Sequence, residues 1–359
     1  MEHRVNYREL EDFTAKVLQR LNTPEEYAQR TAEILVSADL RAIYSHGVAR
    51  MPRYVNAIKS GQIIPDASPV IVSGGDSYIH VDGKDGLGQV AGYFGMKETI
   101  ERAKKSGVCV CAVKNSNHYG IAGYYSMMAL KENLIGFSVT NSAPLVVPTF
   151  GKDLIIGTNP ISLAVPCAEG DLFVLDMATS VIPRGKLEVY DREGKKMPEG
   201  WAVDEDGLTT TDPTRVLHNM INRKGGGILP LGGFGELFGG HKGYGLSVFV
   251  DVLSGVLSGA DFANKVYKAK HPNVGHFFFA LNPELFLPLG EFKNRMHELI
   301  TLLKTSSKAK GENRIYIHGE KENEAEIEQK KKGIKLTEKV FGTLEGLAKE
   351  FGVPMIKSL

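Results

Sequence analysis

A histidine and an arginine stand one helical turn apart in the run Ser45-His46-Gly47-Val48-Ala49-Arg50. Near the start of a helix, positions i and i+4 share a face, so the side chains of His46 and Arg50 are predicted to stand together. An imidazole can move a proton near neutral pH, and a guanidinium can bind a carboxylate through two parallel hydrogen bonds. The pair is suited to chemistry on a 2-hydroxy or 2-oxo acid, with a solvated surface pair as the alternative.

Two more chemically capable side chains lie at the ends of predicted strands, where open α/β sheets usually carry their active-site groups. His118 lies among short polar residues between a strand and a helix, where it could handle protons or cap the helix. Asp176 ends the apolar run 172–176, where a buried carboxylate could hold a histidine in one tautomer or cap a following helix. Either histidine could transfer the proton. We predict that His46 is the acid/base, that Asp176 orients an imidazole, and that His118 polarises a carbonyl or shares the proton path.

Three polar segments could bind a carboxamide or a phosphate. Residues 141–144 and 157–160 combine hydroxyl and amide side chains with prolines that fix the backbone. Residues 239–245 place Lys242 on a glycine-rich lead-in to a helix, where backbone amides and a lysine could bind an anion. Ordinary turn chemistry is the alternative for each segment taken singly.

Residues 86–91, Gly-Leu-Gly-Gln-Val-Ala, follow a predicted strand and open a predicted helix, as a Rossmann phosphate-binding loop does. In a Rossmann domain the next strand should end in an acidic residue that binds the adenosine ribose. Here the strand 108–113 runs into Lys114-Asn115-Ser116-Asn117-His118 instead. We therefore interpret residues 86–92 as a tight turn and helix-packing segment, and we expect any dinucleotide to bind through a different fold.

The hydrophobic pattern predicts an α/β protein that begins with three helices, at residues 7–21, 24–41 and about 46–60, with Thr23 capping the second. Strands and helices then alternate. The predicted strands are 78–81, 108–114, 135–140, 154–157, 172–176 and 276–281, and the later predicted helices are 88–105, 120–132, 244–259, 287–306 and 336–351. Residues 225–240 are predicted to form a mobile glycine-rich loop, and the lysines at 330–332 a solvated turn.

Composition narrows the class of protein. The chain has 359 residues, enough for two lobes with a cleft between them, and its 43 basic and 42 acidic residues leave a net charge of +1. This balance gives no electrostatic footprint for nucleic acid or a membrane surface, and no apolar run approaches the length of a bilayer span. The N-terminal residues lack an apolar signal region, so we expect a cytoplasmic protein.

The metal-binding residue types do not form a metal motif. The ten histidines include no His-x-His or His-x-x-x-His pair, and the three cysteines lack zinc-type spacing. Cys109 and Cys111 lie in an apolar run that predicts a buried strand, so we expect them, with Cys167, to be small core residues. A metal-dependent lyase or hydrolase is therefore disfavoured, and no metal site is predicted.

Taken together, the segments resemble the malate/L-lactate dehydrogenase family of the non-Rossmann type, from about residue 5 to residue 350. The matching strings are Ala38-Asp39-Leu40-Arg41 with Ser45-His46-Gly47 and Arg50, His118-Tyr119-Gly120, Gly157-Thr158-Asn159-Pro160, Asp176-Met177-Ala178-Thr179-Ser180, Thr210-Thr211-Asp212-Pro213 and Lys242-Gly243-Tyr244-Gly245-Leu246. Ala42 departs from the glycine usual in the family, and His241 stands at a variable position. Neither change removes a group that does chemistry.

The resemblance implies a three-layer α/β/α fold around a mixed sheet, a homodimer or higher homo-oligomer, and NAD or NADP as cofactor. It implies a helical domain from residues 1–70 and 310–359, a non-Rossmann cofactor domain from 71–215 and 270–309, and a segment 216–269 that completes the cofactor site. Arg50 would bind the substrate carboxylate. The expected cofactor-binding residues are Ser142, Thr158, Asn159, Asp176, Met177, Ala178, Lys242, His318, Gly319 and Glu320.

The implied activity is hydride transfer between a nicotinamide and a small 2-hydroxy or 2-oxo acid, most simply malate/oxaloacetate or L-lactate/pyruvate. Sulfolactate and ureidoglycolate dehydrogenases belong to the same family, as do reductases of cyclic or N-alkyl 2-imino acids, which need the same carboxylate clamp. A non-catalytic cofactor-binding protein is the alternative from a different class. The sequence leaves the choice between NAD and NADP open.

Overall fold

The computed structural model describes residues 2–359 and contains a seven-stranded mixed sheet. The strands are β1 (Glu2–Val5), β2 (Val70–Gly74), β3 (Tyr78–Asp82), β4 (Val108–Ser116), β5 (Ile135–Thr140), β6 (Ile161–Val165), β7 (Phe173–Met177), β8 (Ala202–Val203), β9 (Gly227–Ile228), β10 (Val274–Leu281) and β11 (Ile334–Thr337). The main sheet has the order β2-β3-β4-β10-β5-β6-β7. Only β3 and β4 run parallel, and every other neighbouring pair is antiparallel.

The helices cover both faces of this sheet. They are α1 (Tyr7–Gln19), α2 (Glu25–Leu40), α3 (Met51–Lys59), α4 (Gly88–Ser106), α5 (Ala122–Met128), α6 (Arg184–Arg192), α7 (Pro213–Asn222), α8 (Gly240–Asp251), α9 (Leu289–Thr305), α10 (Glu320–Lys332) and α11 (Glu338–Phe351). Because side chains alternate along β4, Cys109 and Cys111 pack with residues of α4 and α5, whereas Val110 and Ala112 pack with Val250 of α8. The predicted three-layer α/β/α fold is confirmed.

A separate hydrophobic core draws on both ends of the chain. Antiparallel pairing of β1 with β11 brings Val5 opposite Ile334, and both side chains are fully buried. Residues of α1, α2, α3 and α11 complete this core, and Leu87 and Val90 at the start of α4 also belong to it. The first helices are therefore fixed against the sheet domain at the edge where α4 begins.

Several predicted elements need correction. Thr23 does not cap α2, because Pro24 is the N-cap residue and the Thr23 side chain is buried. Residues 154–157 form only an isolated bridge, between Ile156 and Val146, and the strand of this region is β6. The predicted solvated turn at 330–332 is the end of α10, whose 13 residues are mostly charged. Its ion pairs, such as Lys330 with Glu326, stabilise it without the apolar stripe that sequence patterns detect.

The Rossmann-like segment 86–92 has the packing role predicted for it. Gly88 opens α4 against the backbone carbonyls of Asn117 and His118, and a methyl group on Gly88 would overlap with both. Gly92 packs against the ring of Tyr125, 2.8 Å from its expected Cβ position. These glycines let α4 approach the chain segment that carries His118. Among residues 2–359, no helix is long and apolar enough to cross a membrane.

Candidate active site

The imidazoles of His46 and His118 face each other, with ring centroids 5.5 Å apart and an interplanar angle of 21°. His46 precedes any helix: residues Val48–Arg50 form a 3-10 turn, and α3 begins at Met51. The prediction of one helix from about residue 46 is therefore wrong at its start. Two histidines from segments 72 positions apart in the sequence nevertheless meet in one site, as the proposed proton-transfer roles require.

A buried carboxylate holds the segment that carries His46. Asp39, in the last turn of α2, accepts a hydrogen bond from the Val48 backbone N–H at 2.8 Å, and its carboxylate packs directly against Gly47. Burial raises the pKa of Asp39 to about 7. Gln329 of α10 donates to the Asp39 carbonyl at 2.7 Å and fixes the end of α2. Sequence reasoning gave Asp39 no role of its own and missed Gln329, although an acidic residue within an apolar helix was the available signal.

The side chain of Arg50 is anchored through Nε, and its two terminal nitrogens remain available for a ligand. Its Nε donates to the Ser45 carbonyl at 2.6 Å, and the Ser45 hydroxyl lies 2.9 Å from Nδ1 of His46. The guanidinium is partly buried, and burial together with the charge of Arg53 lowers its pKa. Its two terminal nitrogens can therefore bind a carboxylate beside His46.

The hydrogen bonds around His118 specify its tautomer. The Gly120 backbone N–H approaches Nδ1 at 3.4 Å, and the Tyr54 hydroxyl lies 2.7 Å from the same atom. The Gln89 amide donates to the Tyr54 oxygen at 2.6 Å, so the Tyr54 proton is directed at His118. Because a nitrogen that receives these two donors carries no proton, we assign Nδ1 as the acceptor and place the His118 proton on Nε2. His118 thus offers its Nε2–H as a hydrogen-bond donor to the site. The sequence analysis did not identify the two residues that fix this tautomer, Tyr54 and Gln89.

Both imidazoles are uncharged near neutral pH. Burial, followed by the charges of Arg50 and Arg53, lowers the pKa of His46 to about 4. Burial also lowers the pKa of His118 well below its ordinary value, and Arg53 and His46 act in the same direction. A neutral imidazole can accept a proton or donate a hydrogen bond, so the pair can divide these two tasks.

Asp176 has a different partner from the one predicted. Its carboxylate accepts the backbone N–H of Gly123 in the first turn of α5 at 2.8 Å. Burial raises the pKa of Asp176 to about 6. In the part of the chain that the structure describes, residues 2–359, no hydrogen bond joins Asp176 to either imidazole. The structure therefore does not support the hypothesis that Asp176 orients a catalytic histidine, because the Asp176 carboxylate binds the backbone of α5 instead.

A cavity of about 240 Å³ opens beside Asp176. Its lining includes His318 and Gly319, whose backbone lies against β7 through a 3.0 Å hydrogen bond from Val174 N–H to the His318 carbonyl. The Glu320 carboxylate, by contrast, pairs with Lys304 at 2.6 Å and with Arg314 at 3.2 Å. The structure thus gives His318 and Gly319 access to the cavity and gives the Glu320 side chain a role in holding α9 and α10 together.

A second polar cluster joins the segment after β5 and the segment before β6 to α8. The Ser142 hydroxyl accepts the Thr158 N–H at 3.0 Å, and the Asn159 side chain accepts the Ser142 N–H at 3.1 Å. Asn159 also donates to the Ser247 carbonyl of α8 at 3.1 Å. Lys242 lies exposed in the first turn of that helix. The three strand-end residues are therefore brought together, with Lys242 on the element they contact.

The end of β7 connects this cluster with the cavity. Thr179 donates its backbone N–H to the Thr158 carbonyl at 2.9 Å, and Met177 and Ala178 lie between Thr179 and Asp176. The groups present fit part of a nicotinamide dinucleotide: Asp176 can accept from a hydroxyl or carboxamide, and Lys321 lines the cavity as a cation. The volume of the cavity suits one ring of such a dinucleotide. In residues 2–359, no three His, Cys, Asp or Glu side chains are grouped so that they could hold a metal ion.

Comparisons with known proteins identify the family of this chain. The family model for malate/L-lactate dehydrogenase matches residues 5–345. The chain is 52% identical to a malate dehydrogenase of Pyrococcus abyssi, covering 96% of this chain and 94% of the relative, and 40% identical to an L-sulfolactate dehydrogenase of Methanocaldococcus jannaschii, covering 94% of each. The crystal structure of a malate dehydrogenase from Entamoeba histolytica superimposes with a TM-score of 0.95 at 38% identity, covering 99% of each chain. The neutral histidine pair beside a free guanidinium thus lies in a chain that belongs to the malate/L-lactate dehydrogenase family.

Proposed function

We propose that this protein is a NAD(P)-dependent malate dehydrogenase that interconverts malate and oxaloacetate. Membership of the family makes it an oxidoreductase that acts on a 2-hydroxy acid. The observation that carries the proposal is the arrangement of His46, His118 and Arg50, in which two uncharged imidazoles lie beside a guanidinium with a free fork. Relatives named malate dehydrogenases at 52% and 49% identity support the choice of malate.

The residues of this chain divide the reaction between them. A bound nicotinamide would supply the hydride chemistry, as acceptor from C2 of the hydroxy acid and as donor to the oxo acid. Arg50 holds the C1 carboxylate as a bidentate pair and so orients C2. Neutral His46 accepts the hydroxyl proton during oxidation and returns it during reduction. His118 donates its Nε2–H to the same oxygen and stabilises the negative charge that develops there.

The proposed cofactor residues form two groups. Asp176, His318 and Gly319 would bind one part of the cofactor at the cavity, while Ser142, Thr158, Asn159 and Lys242 would bind a second part at the start of α8. Met177 and Ala178 connect the two groups along the end of β7. Either NAD or NADP is compatible with these residues, since a lysine and backbone amides bind the phosphates of both.

We further propose a homodimer in a reducing compartment such as the cytoplasm. The face of α8 and the π-helical segment Val252–Val256 that follows it leave apolar side chains half exposed, among them Phe249 and Val256. A patch of this kind is typical of a subunit interface. The three cysteines are free, with Cys109 and Cys111 buried, as expected where thiols stay reduced.

A nicotinamide-coupled screen tests the proposed function. Purified protein is assayed with NADH and NADPH against oxaloacetate, pyruvate, a 3-sulfonated 2-oxo acid and a cyclic 2-imino acid. We expect oxaloacetate to give a kcat/KM at least about tenfold above that of pyruvate or the imino acid, the discrimination that one charged hydrogen bond supplies. Exclusive turnover of the imino acid would replace the proposal with an imine reductase. Cofactor binding without any substrate-dependent change in absorbance would indicate a non-catalytic protein.

The low pKa of His46 predicts an unusual pH profile. The pKa of about 4 keeps the base neutral down to that pH, so kcat/KM for hydroxy acid oxidation should change less than about twofold between pH 5 and 8. A histidine with the ordinary pKa of about 6.5 would lose about thirtyfold over the same range. Initial rates, with circular dichroism to show that the protein stays folded, measure this. A steep decline between pH 7 and 6 would contradict the assignment.

A further inference from the structure

A second arginine, Arg53, lies three positions after Arg50 and has no role in the reaction as described above. It lies in the first turn of α3, half-buried, and its guanidinium donates to the Tyr267 hydroxyl. Tyr267 comes from a segment 214 positions away and adopts a φ of 65°, a conformation that non-glycine side chains rarely take. The His118 backbone approaches the same hydroxyl and acts against the rise in its pKa that burial causes. Tyr267 therefore connects Arg53 to the segment that carries His118.

The charge of Arg53 acts on three other ionisable groups of the site. Arg53 follows Arg50 by three positions, about one helical turn, and its charge lowers the pKa of Arg50, of His46 and of His118. Within residues 2–359, neither Arg50 nor Arg53 forms an ion pair with a carboxylate. Glu188, which pairs with Arg184, acts on Arg50 only from beyond ion-pairing distance, so the two partly buried positive charges attract an anion that enters the site.

A monocarboxylate would neutralise only one of these charges. When the C1 carboxylate of a 2-hydroxy acid binds to Arg50, the Arg53 guanidinium still has nitrogens free and no anionic partner. We propose that Arg53 binds the second anionic group of a dianionic 2-hydroxy acid, a carboxylate or a sulfonate at C3, and thereby selects dianions over monoanions. This inference rests on the proposed function and assigns Arg53 as a residue that determines its specificity.

The experiment compares substrates of one shape and two charges. Rates of oxidation are measured with L-malate and with its C4 monoamide, which has the same shape but a neutral end, and with L-sulfolactate. The wild-type protein should prefer malate over the amide by about 10–100-fold in kcat/KM, the worth of one charge-assisted hydrogen bond. In Arg53→Met this preference should fall to within about threefold of unity, mainly through a higher KM for malate.

Matched variants separate charge from packing. Arg53→Lys keeps the charge and loses the planar fork, so it should retain part of the preference, and Tyr267→Phe should weaken it by freeing the guanidinium. Arg20→Met, at an exposed arginine after α1, serves as the control. An unchanged preference in Arg53→Met, or no preference in the wild type, would overturn the inference while leaving a 2-hydroxy acid dehydrogenase. Failure of every hydroxy acid with the wild type would instead refute the proposed function. The better of malate and sulfolactate identifies the second anionic group.

Discussion

Replacing His46 by glutamine is expected to lower kcat for hydroxy acid oxidation by about 10²–10⁴-fold, the usual loss when a general base is removed. A glutamine amide has nearly the reach of an imidazole but cannot accept a proton at neutral pH. His118→Gln should lose at least tenfold less, because the glutamine NH₂ can still donate a hydrogen bond to the substrate oxygen. Steady-state kinetics of the two variants at pH 7.5 measure the difference.

The stacked arrangement of the two rings makes a control necessary, since removing one imidazole could displace the other. Thermal unfolding of both variants shows whether the site remains folded, and His218→Gln, at an exposed histidine of α7, serves as the matched substitution. Unchanged turnover in His46→Gln together with abolished turnover in His118→Gln would exchange the two roles. In that case the hydrogen bond from Tyr54 would act on the proton-transferring residue itself.

Sequence patterns located the sheet and the reactive side chains well. β5 has the predicted bounds, 135–140, because alternating and apolar runs determine strands locally. His46 and His118 could be singled out because each lies beside short polar residues at the end of an element. Their rings face each other in the structure, as expected where loops at the ends of elements gather functional groups at one place in an α/β protein.

The groups that hold these side chains could not be predicted. Tyr54 meets His118 across 64 positions, and Arg53 meets Tyr267 across 214, and only the assembled fold specifies such contacts. Asp176 shows the same dependence on the assembled fold. A carboxylate at a strand end was predicted to orient an imidazole, yet the nearest donor was the Gly123 backbone N–H of the helix packed on the same sheet.

Gly47 is the position where this dependence on tertiary contacts should be most visible. Its φ of −88° is open to any residue, so backbone conformation does not require glycine there. The Asp39 carboxylate does, because a methyl group on Gly47 would overlap with its oxygens. Asp39 is 1% exposed and cannot move into solvent. Gly47→Ala must therefore displace the segment that carries His46 and Arg50.

We expect Gly47→Ala to cost about 1–3 kcal/mol of stability through overpacking, and to lower kcat/KM by about 10²-fold because a shift of about 1 Å misplaces both groups. Denaturant unfolding and steady-state kinetics measure the two effects. Gly346→Ala is the matched control, since Gly346 lies in α11 with open space around its Cβ position and should gain a little stability. Asp39→Ala removes the obstructing carboxylate and also the acceptor for Val48 N–H. If overlap is the cause, the double variant should be no less stable than Asp39→Ala alone, whereas additive losses would show that Gly47 is required for another reason.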